Sequence, residues 1–144
     1  MRIYVASSWR NGMQPDVVAF LVQQGHDVYD FRHPAPGNDG FSWSQLDGDW
    51  REWTPETYIA ALGHPIAESG FKLDMDALRW CDACVLVLPC GRSAHLEAGW
   101  AAGAGKRVVI YMPGKEEPEL MYKMCRAVVT ALPAVQEALA GSRP

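Results

Sequence analysis

The sequence predicts an α/β protein: a three-layer, flavodoxin/Rossmann-like fold around a parallel sheet in the strand order 2-1-3-4, with a possible extra edge strand. Strand-like and helix-like segments alternate along the chain, and the part up to residue 31 is a strand, a helix and a strand, the βαβ unit. Residues 85–88 are an apolar run without alternation of polar and apolar positions, which is typical of a central strand covered on both faces. The 144 residues suffice for one domain with a substantial core, so we expect a single domain over residues 1–144.

Apolar periodicity, together with Pro and Gly at the ends of segments, places the elements in order. The predicted elements are a strand at 2–6, a helix at 15–24 that Gly25 ends, a strand at 26–31, a short helix at 55–62, a helix at 69–81, the central strand at 85–88, a helix rich in Ala and Gly after residue 93, a strand at 107–112, and helices at 118–130 and 133–140. Thr54 is the predicted cap of the helix that begins with Pro55.

Residues 32–54 form a Trp-rich insertion that fits no regular element. A loop of this length in a small domain is usually functional or disordered, and disordered segments rarely carry several tryptophans. We therefore expect it to pack as a lid. It either covers one end of the sheet or offers a flat aromatic platform, such as Trp43, to a ring-shaped ligand.

The composition narrows the class of protein. The formal net charge is -4 and Lys and Arg are not clustered, which argues against a nucleic-acid polymer as partner. No apolar run is long enough for a membrane span, and no signal-peptide pattern precedes the first strand. These features favour a cytoplasmic enzyme or binding domain.

Four cysteines raise the question of a metal or redox site. Cys81 and Cys84 have the spacing of half a zinc site, but no second close pair and no suitably spaced His accompany them. Cys90 lies in a polar loop, but the only Arg of that loop, Arg92, is two residues later and too close in sequence to wrap around a thiolate. We expect buried, inert thiols and no metal site.

The polar loop after the central strand is the predicted centre of the chemistry. Gly91 permits a tight turn, and Ser93 is the predicted cap of the next helix. Glu97 then falls in the first helical turn, where the positive helix end would keep a carboxylate ionised. This carboxylate is either a nucleophile or a residue that only stabilises the start of the helix.

Topology predicts which residues share the site. In open parallel sheets ligands bind beyond the carboxyl ends of the strands where the strand order reverses, here between the first and third strands. The loop at residues 7–11 and the loop at residues 90–93 should meet there. Asp74, close to the predicted start of the helix before the third strand, should point to the same crevice, unless it is only a helix-start acid.

Three motifs, in this order and spacing, resemble the nucleoside 2-deoxyribosyltransferase-like family, which includes deoxynucleoside 5′-monophosphate N-glycosidases. They are the first strand and loop from Ile3 to Arg10, Asp74 followed by Asp82 and an apolar strand, and Glu97-Ala98-Gly99 at the opening of a small-residue helix. The resemblance covers most of the chain apart from the Trp-rich insertion.

The resemblance implies roles for three candidate catalytic residues. Glu97 matches the nucleophile that attacks C1′ of the sugar and forms a covalent glycosyl-enzyme. Asp74 matches the acid that assists the departing base, and Tyr4 matches a tyrosine that positions the nucleophile, although a tyrosine on an inner strand can also be ordinary core. No metal or organic cofactor is needed for this chemistry.

The resemblance also implies the substrate contacts and the assembly. Ser8 and Arg10 match phosphate-binding positions. The loop from Pro89 to Glu97 differs in length from the family, and Gly91, Arg92 and Ser93 in it are candidates to complete the phosphate cradle. Arg10 could instead pair with Asp16, and Arg92, which stands where the transferases have an acid, could lie in solvent. Apart from the resemblance, Trp9 in the same loop joins Trp43 as a candidate base-stacking or lid residue. Glu119 and Met121 look like the segment that reaches the site of a neighbouring subunit, which implies a homodimer or larger homo-oligomer.

Three functions remain open from the sequence. The leading one is cleavage of the N-glycosidic bond of a small nucleoside or nucleotide, followed by hydrolysis or by transfer to another base. The second is NAD glycohydrolysis, since TIR-type domains share a similar layered architecture and a catalytic Glu. The third is a non-catalytic nucleotide-binding or sensing domain, in which Glu97 only starts a helix.

Overall fold

The computed structural model describes residues 1–141, and its strands form one parallel sheet in the order β2-β1-β3-β4-β5. The strands are β1 (Arg2–Ala6), β2 (Asp27–Asp30), β3 (Ala83–Val87), β4 (Arg107–Tyr111) and β5 (Ala127–Val129). The predicted class and the order of the first four strands are confirmed, and β5 is the extra edge strand. The predicted domain runs to residue 144, so its last three residues lie outside the described part.

The α-helices within residues 1–141 cover both faces of the sheet. They are α1 (Gln14–Gln23), α2 (Pro55–Leu62), α3 (Pro65–Trp80), α4 (Arg92–Gly103) and α5 (Leu132–Ala140). One face of the sheet packs against α3 and α4, and the other packs against α1 and α5. All five residues of β3 are buried, which is why this strand lacks the alternation of a half-exposed one.

The packing follows from the period-two alternation of side chains along each strand. Tyr4 points to the α3 and α4 face, whereas its neighbours Ile3 and Val5 point to the α1 and α5 face. Leu21 of α1 is fully buried on the second face. Each large apolar side chain of this kind stabilises the fold by roughly 1.5–3 kcal/mol.

The helix before the central strand begins earlier than predicted. α3 starts at Pro65 and not at residue 69, because Pro65 suits the first helical turn and His64 provides the cap. The ring Nδ1 of His64 accepts a hydrogen bond from the Ile66 N–H at 3.1 Å. Histidine is not a common capping residue, so the sequence pattern did not reveal this start.

The helix predicted over residues 118–130 is wrong. A 3-10 helix spans Leu120–Met124, and the chain then extends into β5, which pairs with β4. The Arg126 N–H donates to the Val108 carbonyl at 2.8 Å and leads the chain into this pairing. Adjacent β-branched valines suit a strand, and the ladder with β4 outweighs the local helical pattern.

The Trp-rich insertion packs against α2 and α3. Trp43 makes edge-on contacts with Phe41, Trp53 and Tyr58, at centroid distances of 4.8, 5.7 and 5.9 Å. Phe41 in turn lies directly against Gly70 of α3, where an added Cβ would come within 3.1 Å of the Phe41 side chain. Trp43 is therefore part of an aromatic cluster and not a free platform.

Two further observations concern the thiols and the helices. All four cysteines are free, and burial raises the pKa of each of them, that of Cys90 to about 12. Cys81 and Cys84 are buried, as the sequence predicts, whereas Cys90 and Cys125 are half-buried. A raised pKa disfavours the reactive thiolate at each of these positions. Within residues 1–141, no helix has both the length and the apolar character needed to cross a membrane.

Candidate active site

The loops that follow β1 and β3 meet at the carboxyl edge of the sheet, as predicted. Ser7 Oγ donates a hydrogen bond to the Val87 carbonyl at 2.9 Å, and Asn11 Nδ2 donates to the Pro89 carbonyl at 3.2 Å. Asn11 is only 4 % exposed, so its amide is buried in this junction. The two loops therefore form one continuous surface beside the cleft.

Glu97 lies in the second turn of α4, and the prediction that it lies in the first turn is wrong. Helix α4 begins at Arg92 after Gly91, and no side chain caps it, so the prediction that Ser93 is the cap is also wrong. Gly91 has extended backbone angles and can start the helix without a capping side chain. Glu97 is consequently the sixth helical residue, beyond the free N–H groups of the first turn.

The environment of Glu97 favours its protonated form. Burial, and then the charge of Asp74, raise the pKa of Glu97 from 4.5 to about 8, while the Tyr4 hydroxyl acts in the opposite direction. The expected stabilisation of the carboxylate by the helix end is therefore not observed. Two acids that are desolvated by burial and lie close enough to repel each other are typical of sites for acid–base and nucleophilic chemistry.

Asp74 faces the same cleft from the middle of α3. Its Oδ1 accepts a hydrogen bond from the Tyr29 hydroxyl at 2.8 Å, and burial raises its pKa although this hydrogen bond acts to lower it. The position excludes the interpretation of Asp74 as a helix-start acid, because α3 begins nine residues earlier at Pro65. The carboxyl groups of Asp74 and Glu97 are thus neighbours, each with a tyrosine at its side.

Tyr4 is fully buried and links the two acids. Its ring stacks on that of Tyr29 with a centroid distance of 5.1 Å, and burial followed by the charges of Glu97 and Asp74 raises its pKa. The hydroxyl is enclosed and has no hydrogen-bond partner of standard geometry within residues 1–141, although it is near enough to Glu97 to lower that pKa. A buried hydroxyl without a partner usually marks a functional position or a site for water.

Polar and cationic groups follow β1 and begin α4, at the carboxyl edge of the sheet. Arg10 and Arg92 are exposed and form no ion pair within residues 1–141, so the alternative pairing of Arg10 with Asp16 is not observed. Ser8 Oγ accepts a hydrogen bond from the Arg10 N–H at 3.2 Å, which fixes the turn that carries the arginine.

Trp9 and Trp43 occupy different surroundings. Trp9 is 50 % exposed, contacts Phe31 edge-on at 5.2 Å and lies 5.3 Å from the guanidinium of Arg32. Arg32 also donates hydrogen bonds to the carbonyls of Trp9 and Asn11, so it holds the loop after β1 in place. Trp9 presents an indole at the rim, whereas Trp43 lies within the aromatic cluster of the insertion.

The segment that was expected to reach a neighbouring subunit lies on the surface. Glu119 caps the 3-10 helix that follows it by accepting the Met121 N–H at 2.9 Å. Met121 is 56 % exposed, and its neighbours Leu120 and Met124 are exposed as well. This stretch presents apolar side chains to solvent.

Two residues near the cleft, Tyr29 and His95, were not predicted from the sequence. Tyr29 was not singled out, because a tyrosine on a strand has no local signal that it will meet an acid from a distant helix. His95 bridges α4 to the following 3-10 helix: its Nδ1 lies 2.8 Å from the Gly91 carbonyl, and its Nε2 lies 2.9 Å from the Tyr122 hydroxyl.

Solved structures share this fold, and two of them are a 2-deoxyribosyltransferase and a CMP N-glycosidase. A 2-deoxyribosyltransferase from the psychrotolerant bacterium Bacillus psychrosaccharolyticus has a TM-score of 0.66 and 21% sequence identity, over 99% of this chain and 93% of the other. The Clostridium botulinum CMP N-glycosidase BcmB has a TM-score of 0.54 and 18% identity, over 96% of this chain and 98% of the other. The resemblance drawn from the sequence is thus matched by the fold over nearly the whole length of both chains.

At the level of sequence, no family model and no curated protein matches the chain. Identities of 18–21% establish a shared fold, and function has to be argued from the side chains of the site.

Proposed function

We propose that the protein cleaves the N-glycosidic bond of a small nucleoside or nucleoside 5′-monophosphate. The observation that supports this most strongly is the pair of neighbouring carboxyls, Glu97 and Asp74, with the Tyr4 hydroxyl near both and raised pKa values on both acids. A deoxyribosyltransferase and a CMP N-glycosidase are among the proteins with this fold. Their names describe enzymes that act on N-glycosidic bonds.

The chemistry of this bond calls for two carboxyl groups with different tasks. A glycosidic bond to a base breaks through a transition state with positive charge on the sugar, which an anion below C1′ stabilises. Glu97 is the proposed nucleophile and forms a covalent glycosyl-enzyme with retention of configuration. Asp74 is the proposed acid that protonates the leaving base, and Tyr4 orients the Glu97 carboxylate.

The coupling between the acids explains how one can be ionised and the other protonated. Around neutral pH the pair retains a proton, because burial and mutual repulsion oppose a second negative charge. When that proton lies on Asp74, the repulsion is relieved and Glu97 can ionise. The productive form therefore has a neutral Asp74 and an anionic Glu97, as in other sites with two unlike carboxyls.

The rim of the cleft fits a 5′-phosphate. Arg10 can bind a phosphate with two parallel hydrogen bonds, and it has no competing ion pair within residues 1–141. Ser8 and Arg92 supply further donors, while Gly91 and Ser93 lie where the first N–H groups of α4 are unpaired. We therefore favour a nucleotide over a plain nucleoside as substrate.

The remaining proposed contacts concern the base and a second subunit. Trp9, half-exposed at the rim, is the proposed stacking residue for the base. Trp43 is proposed to act as a lid residue through the aromatic cluster that anchors the insertion. Glu119 and Met121 are proposed to complete the site of a neighbouring copy, since their segment presents exposed apolar side chains.

The test is a panel of nucleosides, nucleoside 5′-monophosphates and NAD, incubated with the protein and analysed by chromatography for released base. We expect release from a nucleoside monophosphate, and loss of release in Glu97→Ala with a Tm close to that of the wild type. Glu137→Ala, an exposed change on α5, is the control. Addition of a second base then separates transfer from hydrolysis.

Two results would contradict the proposal. Turnover of NAD alone would favour the glycohydrolase alternative. If the wild type binds nucleotides without cleaving any substrate, and Glu97→Gln leaves the affinity unchanged, the protein is a binding domain.

A further inference from the structure

We infer that Tyr29 is a positioning residue, which orients Asp74 and stabilises the carboxylate that remains after Asp74 gives its proton to the leaving base. This inference rests on the proposed function and adds to it a residue on a strand that the sequence did not single out.

The geometry that carries the inference is a hydrogen bond between two different layers of the fold. The Tyr29 hydroxyl on β2 donates to Asp74 Oδ1 on α3 at 2.8 Å. In the parallel ladder Tyr29 is the register partner of Tyr4, so the two side chains leave the same face of the sheet and their rings stack at 24°. Stacking limits the rotation of Tyr29 and fixes its hydroxyl opposite Asp74.

The second oxygen of Asp74 is left for the reaction. Asp74 Oδ2 makes no hydrogen bond within residues 1–141, and it is not among the fully enclosed unpaired atoms, so it remains accessible from the cleft. A carboxyl group with one oxygen fixed by a hydrogen bond and the other oxygen free can present its proton to the leaving base in a defined orientation. Preorganisation of this kind is what a positioning residue supplies.

No cation competes with Tyr29 for Asp74 within the described part of the chain. The groups that face Asp74 are Tyr29 from β2, Tyr4 from β1 and Glu97 from α4. The cations on its own helix, Lys72 and Arg79, pair with Asp76 on the exposed side instead. Tyr29 is therefore the group that favours the anionic form of Asp74, and it lowers the pKa that burial raises.

The proton balance shows when this contact acts. As the C1′–N bond breaks, its electron pair goes to the base, and the proton on Asp74 Oδ2 moves to that base. A Glu97 oxygen forms the new bond to C1′, and Asp74 becomes a carboxylate. A hydrogen bond to a charged acceptor is stronger than one to a neutral acceptor, so the contact with Tyr29 strengthens as the proton leaves.

The test compares Tyr29→Phe with the wild type. Since the contact is stronger in the transition state, kcat should fall about tenfold to a hundredfold, as expected for a hydrogen bond to a charged group, and KM should change little. Without the hydroxyl the pKa of Asp74 rises, so the alkaline limb of the kcat profile should move to higher pH. A merely structural role would lower kcat at every pH and leave that limb in place.

Tyr111→Phe is the matched control. Tyr111 ends β4, is half-buried, and packs on the α1 and α5 face of the sheet, away from the two acids. The Tyr111→Phe variant also removes a tyrosine hydroxyl from a strand, but from the face of the sheet away from the acids. It should therefore change neither kcat nor its pH profile. Equal behaviour of the two variants would overturn the inference.

A second measurement does not depend on turnover. In protein labelled with ¹³C at the Asp carboxyls, the Asp74 signal, assigned by its loss in Asp74→Asn, should titrate at higher pH in Tyr29→Phe than in the wild type. An unchanged titration overturns the inference even if the enzyme is active. If the wild type cleaves nothing, the proposed function fails together with the role of Tyr29 in it, whereas a changed titration would still establish the contact with Asp74.

Discussion

Glu97→Gln should make the protein more stable, and the gain should grow with pH. In the folded chain the pKa of Glu97 is raised from 4.5 to about 8, so folding favours the protonated acid. The stability that the protonated Glu97 contributes to the fold is fully present below about pH 4.5 and is lost as the pH rises through about 8. Glutamine resembles the protonated acid in shape and has no charge to bury, so it retains the contribution at every pH.

The magnitude follows from the same pKa. Each unit by which folding raises the pKa corresponds to roughly 1.4 kcal/mol, so a fully ionised Glu97 would destabilise the fold by at most about 5 kcal/mol. Its carboxylate is not completely enclosed, so solvent screens part of this cost and we expect about 2–3 kcal/mol between pH 7 and pH 9. Around pH 5 the variant and the wild type should differ by less than about 1 kcal/mol.

The assay is urea unfolding, followed by circular dichroism, at about pH 5 and about pH 8.5. Glu137→Gln on α5 serves as the control, because it makes the same change at an exposed position. We expect the difference between Glu97→Gln and the wild type to widen at the higher pH, and the control to show no such trend. If both variants differ from the wild type by the same amount at both pH values, Glu97 is not a desolvated acid and the electrostatic argument fails.

Three further predictions concern other parts of the chain. Gly40→Ala should destabilise the fold by about 2 kcal/mol or more, because Gly40 has a φ of +88° and an added Cβ would lie 2.6 Å from the Phe31 carbonyl oxygen. Gly37→Ala, also at positive φ but with nothing within 4 Å, should cost only about 1 kcal/mol in the same urea titration. Arg10→Ala should reduce kcat/KM for nucleoside monophosphates by about tenfold to a hundredfold and for free nucleosides only slightly, so equal losses in a steady-state comparison would exclude a phosphate clamp. Cys90→Ser should retain wild-type turnover, because burial keeps this thiol protonated with a pKa of about 12, and a large loss of released base would show that the thiol takes part.

The sequence predicted those features that depend on local pattern and on topology. The buried apolar run of β3 and the βαβ unit predicted a parallel sheet and its strand order. That order predicted that the loop after β1 lies beside the loop after β3. This is why Asp74, Glu97 and Tyr4 could be expected in one cleft. Their predicted roles stay proposals, whereas their proximity is a property of the fold.

The features that were missed depend on contacts between distant segments. Residues 127–129 carry two valines within a stretch that also suits a helix, and only the free edge of β4 decides between the two structures. The displaced pKa of Glu97 arises from burial by elements far away in sequence and from Asp74, whereas the local position suggested an ionised helix-start acid. Tyr29 becomes significant only through the register of β2 with β1 and its contact with α3.

The hydrogen bonds from the Ser7 and Asn11 side chains to carbonyls at the end of β3 and in the loop after it have a mechanical consequence. They fasten the two loops beside the cleft to each other, and the guanidinium of Arg32 in the insertion fastens the first loop a second time. We therefore expect the two loops to move together as one unit when a ligand binds.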